Sequence, residues 1–174
     1  MRVDLQVACA IDELPERAQF ERWVAAAVGG RKAQAEITVR IVDEDESRTL
    51  NRTWRCRDRP ANVLSFAAGS PADLPPPLRE RALGDLVLCA PLVAGEATAQ
   101  GKDTTAHWAH LVVHGTLHLL GYDHADDAQA MAMERLETEI LARLGYPDPY
   151  EPVRGAEPAM ETSPAMTRRT DAQT

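Results

Sequence analysis

Eleven consecutive residues constrain this chain more than any others: His114-Gly115-Thr116-Leu117-His118-Leu119-Leu120-Gly121-Tyr122-Asp123-His124. On a helix His114 and His118 lie a little over one turn apart on one face, so their rings can converge. Tetrahedral zinc, with bonds of about 2.0–2.1 Å, needs nitrogen ligands only roughly 3.3 Å from one another. A third ligand one helical repeat further on would lie about 6 Å too far along the axis. Gly121 resolves this, because a glycine in the left-handed conformation can end the helix and fold the chain back. His124 then approaches the pair. Three imidazoles leave a fourth position open to water, the pattern of catalytic rather than structural zinc. The expected cofactor is therefore one Zn2+ per chain, held by His114, His118 and His124, acidifying water toward a pKa of about 7.

The same spacing occurs in the zinc-protease pattern H-E-x-x-H-x-x-G-x-x-H, whose glutamate polarises the attacking water. Here Gly115 stands at that position, so proteolysis loses its general base. Asp123 has three open roles: an acceptor behind the ligands, a general base, or a turn residue. His107 and His110 share the helical stripe a turn or more earlier and are expected to support or pack rather than ligate.

A second concentration of chemistry lies upstream. Arg48, Arg52, Arg55, Arg57 and Arg59 put five arginines into twelve residues of a chain whose net charge is −8. Arg48, Arg52, Arg55 and Arg59 follow i, i+4, i+7 and i+11, one face for as long as the helix lasts. Asp43, Glu44, Asp45 and Glu46 can pair with Arg48 and Arg52, whereas Arg55, Arg57 and Arg59 stand beyond them. Guanidinium forks match phosphate oxygens, so these three are the anion-binding candidates. Asp85 either supports the site or ends a loop. The balance of 27 acids against 19 bases argues against coating of nucleic acid over the whole surface but not against a local basic groove.

Periodicity supplies the frame. Residues 3–8 and 37–42 alternate as strands, 62–66 and 84–89 read as two more, and 67–82, with Pro75-Pro76-Pro77, reads as a stiff rim or lid. Helices are expected from Leu14-Pro15-Glu16 to Gly29, from an Asp43 or Asp45 cap to Trp54, and from Pro91 to Gly101. Two more should run from an Asp103 or Thr104 cap to Leu120, and from Asp126 to Gly145 with Met133, Leu136, Ile140 and Leu144 buried. The fold class is α+β: a small mixed sheet of about four strands, about five helices, and a zincin-like metal helix. Residues 1–150 are expected to form one domain and 151–174 a disordered tail. Cys9, Cys56 and Cys89 lack C-x-x-C spacing and read as small buried hydrophobes in a reducing cytoplasm. No stretch is long and apolar enough to span a membrane.

Taken together, Leu50-Asn51-x-x-Trp54-Arg55-x-x-Asp58-x-Pro60-x-Asn62-Val63-Leu64-Ser65-Phe66, Leu83-Gly84-Asp85 and the histidine motif closely resemble the YbeY family over roughly residues 1–150. Trp54 stands where tyrosine is common, Cys56 where glycine is common, and Ala67 where proline often follows. The resemblance implies a metal-dependent endoribonuclease of bacterial rRNA maturation that trims the 3′ end of small-subunit rRNA and serves ribosome quality control. It makes His114, His118 and His124 the zinc ligands and matches Arg55 to the family's functionally important arginine. The implied partners are single-stranded rRNA rather than DNA, a small-subunit ribosomal protein and the GTPase Era. A second reading, an assembly factor in which zinc chiefly organises the fold, survives because the glutamate is missing.

Overall fold

A computed structural model describes residues 1–32, 34–69, 74–76, 80–124 and 126–152. Strand β1 (Arg2–Val7) leads through helix α1 (Arg17–Val28) to β2 (Glu36–Val42), and helix α2 (Glu44–Arg55) leads to β3 (Val63–Ala67). Then follow β4 (Ala82–Cys89), α3 (Ala90–Ala99), α4 (Thr104–Leu119) and α5 (Asp127–Leu144). The sheet order is β1-β2-β4-β3. β1, β2 and β4 run parallel, and β3 closes one edge antiparallel to β4. Four mixed strands with these five helices are the α+β architecture expected from the sequence. Residues 153–174, where the tail was expected, and 70–73 and 77–79 of the expected rim lie outside the described residues.

Local chemistry accounts for the helix boundaries. Asp43, Asp103 and Asp126 each accept the backbone N–H three residues on, at 2.8–2.9 Å, satisfying a donor that the first turn cannot. At α1 a capping box between Glu16 and Gln19 takes this role, so Pro15 precedes the helix rather than occupying its first turn. The apolar stripe Phe20, Trp23, Val24, Ala27 and Val28 of α1 is wholly buried. Phe20 meets Trp23 and Trp108 edge to face at 5.2 and 5.9 Å, and Trp23 Nε1 donates to the Tyr146 hydroxyl at 3.1 Å.

Helix α4 lies against one face of the sheet and is surrounded by α1, α3, α5, β3 and β4. Gly115 is its point of closest approach. A Cβ there would stand 2.2 Å from Leu86 Cδ1 and 3.1 Å from both Ser65 Oγ and Val63 Cγ2. A side chain there would force Leu86 to shift and would crowd Ser65 and Val63, so glycine suits this close contact between helix and sheet. The Gly115 carbonyl accepts from Ser65 Oγ at 3.1 Å, tying the helix to the edge strand. The other face of the sheet carries a smaller cluster of Val42, Leu64, Val87 and Cys89.

Gly115→Val overpacks this contact and should cost about 1–3 kcal/mol, measured as a lower urea midpoint. An unchanged midpoint would show that helix and sheet can move apart freely.

Candidate metal centre

His114 and His118 project from the last turns of α4 at the β3 edge. Gly121, at φ +93°, ends the helix, and the Gly121 and Tyr122 amides cap the carbonyls of His118 and Leu117 at 2.9 and 3.1 Å. The reversed chain brings His124 back. Ring centroids lie 4.6 Å apart for His114–His118, 5.0 Å for His118–His124 and 6.0 Å for His114–His124. One ligand nitrogen from each falls within 4.8 Å of the other two. The structure thus brings the helical pair and the returning third histidine together.

Hydrogen bonding on the far side of the rings tests whether the trio suits a cation. His118 Nδ1 lies 3.0 Å from the Tyr122 carbonyl, which can only accept, so Nδ1 carries the proton. His114 Nδ1 lies 2.8 Å from Oε1 of Glu137, and it too donates. Both Nε2 atoms therefore present lone pairs, and they face each other at 3.1 Å. Two lone pairs at that distance repel unless a positive charge lies between them. Burial, followed by the neighbouring rings of His114 and His124, lowers the His118 pKa and favours its neutral, ligating form. Imidazoles oriented by acceptors behind the ring, as His114 and His118 are, suit a transition-metal site.

Glu137 anchors this arrangement from α5. Its side chain is 0% exposed, and it accepts from His114, from His110 Nε2 at 2.9 Å and from the Tyr150 hydroxyl. Burial opposes its ionisation, but hydrogen bonds from His110 and His114, electrostatic attraction to His114 and a hydrogen bond from the Tyr150 hydroxyl together outweigh burial and hold its pKa at about 2. Tyr150 is driven the other way, above its ordinary value, by burial and by the carboxylate it serves. His107, likewise supporting rather than ligating, bonds Glu96 at 2.8 Å, and Glu96 also accepts from Asn62 Nδ2 at 3.0 and 3.1 Å. That chain braces the entry to β3.

The arginines arrive from the other side of the edge strand. α2 ends at Arg55, with Cys56 in the left-handed region at φ +55°, so the arginine face stops there and Arg59 lies beyond the helix. Two buried polar residues of α2 hold the following loop. Ser47 Oγ donates to the Ala61 carbonyl at 2.8 Å and accepts its amide at 3.0 Å, and Asn51 Nδ2 donates to the Arg59 carbonyl at 2.7 Å. Arg55 Nη2 donates to the Ser65 carbonyl at 3.2 Å. A cavity of about 410 Å3 is lined by Arg55, Arg57, Arg59, His114, His118 and His124, with Glu96 also on its wall. The metal candidates and the anion candidates thus share one space.

Several expectations change. Arg48 pairs not with the helical acids but with Asp58, at 2.8 and 3.0 Å, while Glu46 is taken by Arg40. Asp85 ends no loop; it lies within β4, exposed, opposite Phe66 and on the face away from the histidines. It cannot orient a ligand ring from there. Asp123 accepts the His124 amide at 2.8 Å through Oδ1, a turn bond that leaves its other expected roles open. Cys56 is exposed and Cys9 half-buried, so only Cys89 fits the buried-hydrophobe reading. Leu136 and Leu144 are half-buried, and the stripe of α5 buries Glu137 and Leu141 instead. Glu137, Glu96 and Tyr150 escaped the sequence reading. Glu137 had a usable signal: it lies on the apolar stripe four residues after Met133, and a carboxylate there must meet buried donors.

The fold and site define an α+β protein with three converging histidines, a candidate metal site, in a cavity that arginines also line. The sequence model of the family described as Endoribonuclease YbeY matches residues 6–145. Proteins named Endoribonuclease YbeY from Xanthomonas campestris pv. campestris (strain B100) and Xanthomonas axonopodis pv. citri (strain 306) are each 54% identical over 152 residues. Each alignment covers 86% of this chain and 94% of the relative. TM1509 from Thermotoga maritima, solved in solution, aligns with TM-score 0.53 and 22% identity over 87% of this chain and 99% of its own, a likeness of fold. The chain belongs to the YbeY family.

Glu137 ionises in the fold far below the ordinary value of 4.5. It therefore contributes stability that is complete above 4.5 and is lost as pH falls toward 2. Urea unfolding of the metal-free protein should show this acid-side loss, and Glu137→Gln should flatten it. Parallel profiles would remove the carboxylate from this role.

Proposed function

We propose that this chain is a zinc-dependent endoribonuclease that cuts single-stranded RNA. The observation that carries this reading is the single cavity lined by three imidazoles on one wall and Arg55, Arg57 and Arg59 on the other. A phosphodiester has anionic oxygens for both walls. The donor set is all nitrogen, which suits zinc better than magnesium or calcium. His114, His118 and His124 would hold the zinc, which would supply Lewis acidity toward a phosphoryl oxygen or water near neutral pH.

The chain's own groups do the rest. Arg55 spends one donor on Ser65 and can turn the others toward the phosphate, stabilising charge that accumulates in the transition state. Arg57 and Arg59 hold neighbouring phosphates. Gly115 carries no base, and Glu96 is engaged by Asn62 and His107. We assign proton acceptance to Asp123, exposed beside His124 with one carboxylate oxygen left after the turn bond. The nucleophile is water or the substrate's 2′-hydroxyl, and an all-deoxy substrate separates them: only the first route cuts it. Family membership supports a role in 3′-end maturation of small-subunit rRNA and in ribosome quality control. In this reading the cytoplasmic partners are rRNA, a small-subunit ribosomal protein and the GTPase Era.

Arg55→Ala should lower kcat on single-stranded RNA about 100- to 1,000-fold while zinc content stays at one per chain. His118→Ala should lose the zinc together with its contribution to the melting temperature. A zinc-loaded wild type that cuts no RNA, beside an Arg55→Ala protein that still supports ribosome maturation, would favour the assembly factor instead.

A further inference from the structure

We propose that a second cavity, on the opposite face of the sheet, is a nucleobase-stacking site for the same RNA strand, with Trp54 as its platform. The identity of the strand rests on the nuclease reading above; the site itself rests on the geometry that follows. The cavity, about 840 Å3, is lined by Leu50, Trp54, Arg55, Ser65, Phe66 and Asp85 among others. Trp54 is 68% exposed, whereas Trp23 and Trp108 are 0% and 1% exposed. An indole left in water forgoes a large apolar burial, and this one stands in the last turn of α2, next to Arg55. Phe66 meets it edge-on at 6.2 Å and 65°, steadying the ring in the cavity wall.

Charge separates the two cavities. Around the histidines Arg57 and Arg59 join Arg55 and favour phosphate. In the second cavity Arg40 is tied to Glu46 by two hydrogen bonds of 2.7 and 3.2 Å, and Asp85 adds a carboxylate. An anion is poorly served there; a neutral base is not. Arg55 and Ser65 line both spaces. Ser65 faces both ways, its hydroxyl on the Gly115 carbonyl of the histidine helix and its own carbonyl on Arg55. The β3 edge is thus a narrow ridge with the scissile phosphate on one side and an adjacent base on the other. Asp85, paired across the strands with Phe66, presents an acceptor to the edge of a base stacked on Trp54. A carboxylate accepts from the exocyclic amino group of cytosine, adenine or guanine and finds no such donor on the O4 edge of uracil. The site should therefore prefer an amino-bearing base.

The zinc-loaded full chain, titrated with short single-stranded oligoribonucleotides, tests this directly. Trp54 is the exposed indole, so quenching of tryptophan fluorescence on binding reports on it. Trp54→Ala should abolish the quenching and raise KM roughly 5- to 100-fold, with kcat changed far less and zinc content unaltered. Trp54→Phe should restore most of the affinity. An abasic nucleotide at one position beside the cleavage site should mimic Trp54→Ala in the wild type and add nothing in the variant. Asp85→Asn should erase the preference for cytidine over uridine at that position. Unquenched fluorescence and an unchanged KM for Trp54→Ala, with normal cleavage, would overturn the stacking site and leave the nuclease reading intact. A zinc-loaded wild type that binds and quenches but never cuts would overturn the nuclease reading and support the base site. If Trp54→Ala weakens only a ribosomal protein's binding and leaves RNA affinity untouched, the face docks protein and the proposal fails.

Discussion

The architecture depends on how closely helix α4 can approach the sheet, and Gly115 sets that distance. With no side chain at this position the helix backbone lies within contact of Leu86, Val63 and Ser65, and a serine hydroxyl from the edge strand reaches its carbonyl. The glycine weakens the helix locally by roughly 1 kcal/mol relative to alanine, a cost that surrounding burial offsets. Because the contact falls on β3 at the margin of the sheet, the histidines on the turns either side emerge at an edge. An edge is reachable from both faces, and this lets the loop after α2 bring arginines to a site built on the opposite side.

A buried carboxylate is the second commitment of the fold. Removing an ion from water costs several kcal/mol unless donors replace its hydration. Glu137 recovers them from three groups, His110 and His114 on α4 and Tyr150 beyond α5. The chain after α5 is therefore part of the centre rather than an appendage to it. One consequence is electronic: a histidine whose far nitrogen faces a carboxylate is a better donor to a metal. Another is mechanical, since the ring of His114 is held by both helices. His118, held by a backbone carbonyl in the glycine turn, is oriented by the chain reversal that returns His124.

Legibility followed the range of the interaction. His114, His118 and His124 could be read together because helix pitch and one glycine bend govern their approach, and both are local. The caps Asp43, Asp103 and Asp126 were equally readable, each satisfying an amide three residues away. Arg48 misled for the same reason: its helical neighbours were plausible partners, but the turn after the helix offered Asp58 with better geometry. Asp85 misled because its motif says nothing about which face of a strand it occupies. Glu137 and Tyr150 lie 23 and more residues from the histidine they support, and their partnership appears only when α5 folds against α4.

The sequence by itself determined which nitrogens gather, how the helix ends, and that position 115 carries no base. It also determined that arginines would be concentrated in one short segment. The tertiary structure decided that these two features share a cavity, that Glu137 accepts hydrogen bonds from the far sides of His114 and His110, and that Trp54 stays in water on the opposite face. Backbone periodicity and capping act over one or two turns and are written in order along the chain. The pairing of a buried charge with its donors, or of an arginine loop with a histidine helix around a sheet edge, is fixed by packing between segments far apart in sequence.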